Sequence, residues 1–106
     1  MIFYIREKSL IARIAAWKLR AESVAIVTGR TIHLHNTSKE KFLADTRWLR
    51  HELVHVKQYR QYGYTRFILQ YLLESWKNGY ANNRYEVEAR QGEQDASIIG
   101  QFTMIE

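Results

Sequence analysis

The residues whose types and spacing could perform chemistry lie in the middle of the chain, where residues 51–55 read HELVH. Residues four apart share one face of an α-helix, so His51 and His55 can point their imidazoles at one metal ion from a single turn. Glu52 then lies beside that metal without binding it, where its carboxylate can take a proton from water and deliver it to a leaving amine. The spacing therefore predicts a zinc site held by His51 and His55, with Glu52 as the catalytic base.

A catalytic zinc ion usually takes three protein ligands and leaves one position for water, so a third ligand is expected. The chain has no cysteine, which excludes disulfides and cysteine-based zinc sites. The remaining candidates are the other two histidines and the downstream acidic residues: His33, His35, Glu74, Glu86, Glu88, Glu93 and Asp95. His33 and His35 alternate with apolar residues in a predicted hairpin, and this pattern is typical of the solvent-facing side of a strand.

The HELVH segment falls inside a predicted amphipathic helix that spans residues 47–62. Asp45 precedes this helix as a candidate N-cap, and Gly63 follows its last residue, where a glycine commonly ends a helix. Leu53 and Val56 supply an apolar face that packs against the rest of the chain. This context favours a zinc-binding helix over a chance occurrence of the motif, which fixes only three positions.

Other elements are predicted from apolar periodicity and from glycine, since the chain has no proline. They are a strand over residues 1–5, a helix over 9–20, a hairpin over 23–36 that turns at Gly29, a short helix that Thr37 begins, a helix over 65–78 and a last helix from Tyr85 past Asp95. Helices that are segregated from the strands predict an α+β fold. We expect a single domain over residues 1–106, in which a small hairpin sheet packs against the N-terminal helix, the HELVH helix and further C-terminal helices.

Two of these helices carry apolar stripes at helical spacing, which predict buried faces. The first stripe, which we expect to cover the sheet, consists of Leu10, Ile11, Ile14, Ala15 and Trp17. The second consists of Phe67, Ile68, Tyr71, Leu72 and Trp76. Near the C-terminal end, Phe102, Met104 and Ile105 are apolar, so we expect them to dock on the core or on a second subunit.

The charge balance is basic, with 16 Lys and Arg against 11 Asp and Glu and a net charge of +5. Such a balance favours anionic partners, including nucleic acid. The basic residues are scattered, however, and those on the HELVH helix form no recognisable motif: Arg47, Arg50, Lys57 and Arg60. A solvated surface is therefore expected, and nucleic-acid binding is not.

The first 20 residues do not read as a secretory signal, because charged residues interrupt their apolar runs: Arg6, Glu7, Lys8 and Arg13. No stretch approaches the roughly 20 apolar residues that a membrane-spanning helix needs. We therefore expect a cytoplasmic protein without a membrane span.

HELVH, followed after an intervening helix by NRYEVEAR, resembles the gluzincin class of zinc peptidases, in particular its compact bacterial members, the minigluzincin-like domains. In that family a second helix carries the third zinc ligand as a glutamate in an E-x-x-A pattern, which residues 86–89 match. The resemblance covers roughly residues 24–94 and implies a zincin-like fold with Glu86 as the third ligand and Zn²⁺ as the cofactor. It also implies a peptide or protein substrate that lies along the sheet edge formed by the strand ending near His35.

The chain departs from the family pattern at Arg90, where an Asp or Asn often supports a zinc-bound histidine. Arg90 is spaced to pair with Glu86 across one helical turn, and such a pair would hold the carboxylate away from the metal. Glu88 is an alternative ligand, although Glu86 and Glu88 point to different faces of an ideal helix.

The resemblance further implies a tyrosine or histidine that donates a hydrogen bond to the oxyanion formed during peptide hydrolysis. The sequence leaves the choice open among several of its seven tyrosines, including Tyr59, Tyr62, Tyr64, Tyr80 and Tyr85. Trp48 precedes His51 by three positions, so it is expected to share that helix face and to form a wall of the site.

The residues and the resemblance together predict a zinc-dependent metallopeptidase, in which zinc polarises a peptide carbonyl and Glu52 activates the water. The alternative is a catalytically inactive zincin-fold module that binds a protein or an anionic partner, with a structural metal or none. A Glu52→Gln exchange separates the two hypotheses, because an enzyme loses its activity and keeps its metal, whereas a binding module is unaffected.

Overall fold

A computed structural model describes residues 1–106 and contains a four-stranded sheet and five α-helices. In chain order the elements are β1 (Ile2–Arg6), α1 (Leu10–Leu19), β2 (Val24–Thr28), β3 (Thr31–His35), α2 (Lys39–Ala44), α3 (Thr46–Tyr62), α4 (Tyr64–Asn78), α5 (Arg84–Gly92) and β4 (Thr103–Ile105), with one 3₁₀ turn at Ile99–Gln101. This architecture confirms the predicted α+β class. None of the helices combines the length and the apolar character needed to cross a bilayer.

The sheet has the strand order β2-β3-β1-β4. β2 and β3 form the predicted antiparallel hairpin, with Gly29 at φ 63° in its turn, a conformation that glycine adopts without strain. β1 pairs in parallel with β3, and β4 pairs in parallel with β1. The expectation that the strand ending near His35 forms the sheet edge is therefore wrong. β3 pairs with β1 on one side and with β2 on the other, so β3 is an inner strand and β2 is an edge strand.

The core lies between the sheet and α3. Leu49, Leu53 and Val56 of α3 are buried in it, as the helical periodicity predicts. The C-terminal segment docks on the same core, because Phe102 packs edge-on against Phe3 with ring centroids 5.9 Å apart. Of the two alternatives, docking on the core is observed for Phe102 and Met104, whereas Ile105 is exposed.

Local capping signals set the limits of α2 and α3. The Asp45 side chain accepts a hydrogen bond from the Trp48 amide at 3.2 Å, and α3 ends before Gly63, as predicted. At α2 the cap is Ser38 rather than Thr37. The Ser38 backbone is extended and its hydroxyl accepts from the Lys41 amide at 3.1 Å, which satisfies one of the free N–H groups of the first turn.

The apolar stripe of α1 does not cover the sheet, contrary to the prediction. α1 lies on β2 and β3 through its small residues Ala12 and Ala16, which are 0% and 4% exposed. Leu10 and Trp17 remain 68% and 81% exposed. Small side chains allow the helix to approach the strands closely, and this approach turns the larger apolar residues away from the sheet.

The stripe of α4 is only partly buried. Phe67 is 3% exposed and packs among aromatic rings, including that of Tyr59 at 4.6 Å between centroids. Leu72 and Trp76 of the same stripe are 59% and 83% exposed. The prediction of a fully buried face is therefore wrong for the second half of α4.

α5 ends at Gly92, earlier than predicted, and it packs against α3. A Cβ atom at position 92 would overlap Cγ2 of Val54, so only glycine permits this close approach of the two helices. Glu93, the residue that follows, is thereby brought close to α3.

Candidate metal centre

α3 and α5 bring together the three residues that the sequence suggests as metal ligands. Nε2 of His51 lies 3.0 Å from Oε1 of Glu86, and Nε2 of His55 lies 3.2 Å from Oε2 of the same carboxylate. One ligand atom of each residue lies within 4.8 Å of the others. His55 and Glu86 are buried, and His51 is nearly so. The three side chains can therefore reach one ion without a change of backbone.

The second nitrogen of each imidazole is also bound. Nδ1 of His51 donates to Oε2 of Glu93 at 2.8 Å, and Nδ1 of His55 donates to Oε1 of Gln58 at 2.8 Å. Without a metal, Nε2 of each ring can donate to Glu86; once Nε2 loses its proton, these acceptors keep the remaining proton on Nδ1 and leave the Nε2 lone pair directed at the centre. Both histidines are thus oriented for metal binding.

Gln58 is fully buried and links α3 to α5. Its Nε2 donates to the Tyr85 carbonyl at 3.1 Å and to Oε1 of Glu88 at 2.8 Å, which assigns Oε1 as the acceptor for His55. Glu88 therefore holds Gln58, and Glu86 faces the histidines. Of the two glutamates that the sequence left open, Glu86 is the one whose carboxylate lies beside the Nε2 atoms of both histidines.

Arg90 does not pair with Glu86, contrary to the spacing argument. Its guanidinium donates to the carbonyl of Ala81 instead. The acidic residue that bonds His51 is Glu93, seven residues after Glu86, and not the residue at position 90. Two helical turns separate these residues, so they share one face, and this spacing is the signal that could have found Glu93.

Tyr71 and Asn83 are further residues at the site that the sequence analysis missed. The Tyr71 hydroxyl donates to Oε2 of Glu86 at 2.5 Å. Asn83 caps α5 and also donates to the Tyr71 carbonyl at 3.0 Å and to Oγ of Ser75 at 2.8 Å, so it ties α4 to α5. Glu86 is therefore positioned by contacts from α4 as well as by its own helix.

The three candidate ligands shift one another's pKa values. Burial disfavours the charged form of Glu86, but hydrogen bonds from His51 and His55 hold the pKa of its carboxyl well below the usual range. Burial likewise disfavours charged His51, but the hydrogen bond to Glu86 and the charge of Glu52 raise its pKa to about 9. The pKa of His55 is raised in the same way, mainly by Glu86 against the effect of burial. The negative charge of Glu86 and the positive charges of the two histidines therefore stabilise the cluster.

Glu52 follows His51 on α3 and is 6% exposed. Burial raises the pKa of its carboxyl to about 7, although the charges of His55 and His51 oppose the shift. A group with a pKa near neutrality is well matched to accepting and returning a proton at physiological pH.

A cleft in front of the centre has two parts that share Val24, Ala25, His51, Glu52 and Tyr80. The polar part, of about 440 Å³, is also lined by Ser23, Asp45, Arg47, Trp48 and Glu93. The apolar part, of about 550 Å³, runs between α1 and α4 over β2. Trp48 thus forms a wall of the site, as its position on the helix predicts.

Among the tyrosines that the sequence left open, Tyr80 alone lines both parts of the cleft. The Tyr59 hydroxyl donates to the Val27 carbonyl at 3.0 Å, and the Tyr85 hydroxyl donates to Gln70 at 2.8 Å. Burial and the charge of Glu86 raise the pKa of the Tyr80 phenol, so the group stays protonated and able to donate.

His33 and His35 lie outside the centre. His33 is 6% exposed and bonds Oγ of Ser9 at 2.9 Å and Oγ1 of Thr28 at 2.7 Å. Burial and the nearby Arg6 lower its pKa. The expectation of a solvent-facing histidine is wrong for His33, because α1 covers this part of the hairpin through Ser9.

The arginines at the start of α3 contact the site. Arg47 bonds Oε1 of Glu93 at 3.0 Å, and Arg50 donates to the Glu93 carbonyl at 3.1 Å. They hold Glu93 in place beside His51.

Comparison with known families finds one match. Residues 11–63, half of the chain, match the eCIS core domain. The matched segment runs from α1 to the end of α3 and includes HELVH, whereas Glu86 and Glu93 lie beyond it. No curated protein and no solved structure is significantly similar to the chain. The chain belongs to the eCIS core domain family.

Proposed function

We propose that the chain is a zinc-dependent metallopeptidase of gluzincin type with a zincin-like fold, in which His51, His55 and Glu86 hold Zn²⁺ and Glu52 is the general base. The observation that carries this proposal is the approach of both imidazole Nε2 atoms to the Glu86 carboxylate, at 3.0 and 3.2 Å, beside a buried glutamate that faces a cleft.

The donor set fits zinc. Two imidazole nitrogens and one carboxylate oxygen are a ligand combination of catalytic zinc sites, and they leave a further position for water. Each histidine donates its other ring N–H to a fixed acceptor, Glu93 or Gln58. Such outer contacts orient the ligands and raise their basicity. Arg90, whose pairing with Glu86 would favour the inactive alternative, is bound to Ala81.

A bound zinc ion would polarise the peptide carbonyl and acidify water at the site. The remaining chemistry belongs to side chains of the cleft. Glu52 accepts a proton from the attacking water and returns it to the leaving amine, a task for which its pKa of about 7 is suited. Tyr80 donates a hydrogen bond to the developing oxyanion, where a fixed donor stabilises the transition state.

The peptide backbone would pair with the free edge of β2. In an antiparallel pair, alternate residues direct their backbone groups away from the partner strand. Val27 is one of these, since its carbonyl accepts from Tyr59. Ala25 lies two residues earlier, directs its N–H and C=O the same way, and lines both parts of the cleft. An extended substrate that pairs there passes in front of Glu52.

The test compares the wild-type protein with Glu52→Gln after both are loaded with zinc and their metal content is measured. We expect equal zinc in both proteins and a loss of peptide cleavage of about 10²–10⁴-fold in the variant, the usual contribution of a general base. Equal zinc with equal cleavage would contradict the role of Glu52. No cleavage above the variant's level, across a broad peptide mixture, would contradict the peptidase function.

A further inference from the structure

The two parts of the cleft differ in chemistry and meet at the candidate reacting groups. The polar part contains the charged side chains of Asp45, Arg47 and Glu93. The apolar part is lined on one side by Leu19 of α1 and on the other by Ile68 and Leu72 of α4. A ligand that crosses the cleft past Glu52 therefore passes from an apolar environment to a charged one.

The apolar part is open to solvent although most of its lining consists of aliphatic side chains and the rings of Tyr59, Tyr71 and Tyr80. Leu19 is 55% exposed and Leu72 is 59% exposed, and the two side chains lie on opposite walls of the same space. Burying apolar surface of this kind releases about 25 cal/mol per Å², so a bulky apolar group that enters between the walls is stabilised. Lys18, Glu52 and Glu86 also line this part, but most of its lining surface is apolar, so a charged group there is stabilised less than a bulky apolar one.

The occupant of this space is part of the substrate rather than a separate protein. The apolar part is continuous with the centre, because it shares Glu52, Tyr80 and the β2 edge with the polar part. Ala25 offers backbone N–H and C=O groups at the junction, which an extended chain can pair with. A substrate chain paired there places its successive side chains along the cleft. The apolar part of the cleft has a volume of about 550 Å³, which is enough for a small ligand or a few side chains.

We propose, on the basis of the peptidase function above, that the substrate is an extended polypeptide cut where a bulky apolar residue on one side of the scissile bond meets polar residues on the other. Leu19, Ile68 and Leu72 contact the bulky apolar residue of the substrate and so favour peptides that carry one. The charged residues of the polar part contact the residues on the other side of the scissile bond. Arg47 is bonded to Glu93, but its side chain is 67% exposed, so it can also contact an acidic group there.

Two leucines of α4 provide a matched pair of variants. Leu72 lines the apolar part, whereas Leu69 lies outside both parts of the cleft, and their exposures are similar at 59% and 63%. Replacement of either residue by Asp changes an exposed position, so both variants are expected to fold with small changes in stability. A difference between them reports on the cleft itself.

The experiment uses the zinc-loaded chain and a mixture of synthetic peptides, with cleavage sites mapped by mass spectrometry. We expect large aliphatic or aromatic residues to be enriched on one side of the cut only. We also expect Leu72→Asp to lower the ratio of cleavage of a Leu-containing peptide to that of its Ala counterpart by at least tenfold, and Leu69→Asp to leave this ratio within twofold. Both variants should keep the wild-type zinc content.

Cuts with equal apolar enrichment on both sides, or a ratio that Leu72→Asp leaves unchanged, would overturn the inference while the peptidase function stands. A second measurement separates the two claims if no cleavage occurs. This measurement is the binding of the fluorescein-labelled Leu peptide to zinc-loaded Glu52→Gln protein. Binding that is lost when Leu72→Asp is added would support the selectivity of the cleft, while the absence of cleavage would contradict the peptidase function. No binding and no cleavage would overturn both.

Discussion

Nδ1 of His51 lies 2.8 Å from Oε2 of Glu93, so a residue just beyond the end of α5 orients a candidate metal ligand on α3. Arg47 contacts the other oxygen of the same carboxylate at 3.0 Å. The hydrogen bonds from His51 and Arg47 hold the pKa of Glu93 below its usual range despite partial burial. Glu93 is therefore ionised at neutral pH, and it fixes the imidazole with Nε2 toward Glu86.

Replacement of Glu93 tests this orienting role. We expect Glu93→Ala to lower zinc affinity 10–100-fold, the usual effect of removing a partner of a ligating histidine. Glu93→Gln should lower zinc affinity less, because its amide oxygen can still accept a hydrogen bond from Nδ1 of His51. Asp95→Ala is the control, since Asp95 is exposed and bonds Ser97. Zinc affinity is measured by competition with a chromophoric chelator, and equal affinities in Glu93→Ala and the wild type would contradict the role.

The approach of α5 to α3 at Gly92 is a second determinant of the site. Gly92→Ala introduces a Cβ that overlaps Cγ2 of Val54. We expect a decrease of about 1–3 kcal/mol in the free energy of unfolding, as for other overpacked positions. Zinc affinity should fall as well, because Glu93 moves with the end of α5. Urea denaturation measures the first effect.

The Val54→Ala background provides a control for Gly92→Ala. Removal of the valine methyl groups makes room for the added Cβ, so the two substitutions should be coupled. We expect Gly92→Ala to be less destabilising in Val54→Ala than in the wild type. Strictly additive losses would show that the contact with Val54 does not require a glycine at position 92.

The pH dependence of stability follows from His51. Its pKa is raised from 6.5 to about 9 in the folded chain. The stabilisation is fully present below pH 6.5 and is lost as the pH rises through about 9, with a total of up to about 3 kcal/mol. We expect the free energy of unfolding in the presence of a chelator to fall between pH 6.5 and 9.5.

His51→Gln tests the origin of that decrease. The variant cannot take up the proton, so its stability should fall less over the same pH range. A residual decrease is expected from His55, whose pKa is also raised. The measurement is urea denaturation at pH 6.5 and 9.5 for both proteins, and an identical decrease in both would rule out His51 as its source.

Local signals in the sequence predicted the helix that carries HELVH. Asp45 and Gly63 mark its ends, and the motif spacing places His51 and His55 on one face. These features depend on hydrogen bonds within a few residues, so they can be read without knowing the rest of the fold. The role of Glu86 came instead from the family resemblance, and its approach to the histidines depends on how α5 packs on α3.

Features that depend on long-range packing were predicted poorly. The edge position of β2 follows from the parallel pairing of β1 with β3, which no local pattern specifies. The apolar residues of α1 indicated a buried stripe, yet Ala12 and Ala16 make the contact with the sheet. Periodicity identifies an amphipathic helix but does not determine which face its neighbours cover.

The most direct test of the metal centre is the zinc content of the wild type, Glu86→Ala and Glu88→Ala proteins, measured by elemental analysis after zinc loading and dialysis at neutral pH. The geometry predicts about one zinc ion per wild-type chain, its loss in Glu86→Ala, and its retention in Glu88→Ala, because Glu88 bonds Gln58 and not the histidines. No zinc in the wild type, or zinc retained in Glu86→Ala and lost in Glu88→Ala, would contradict it.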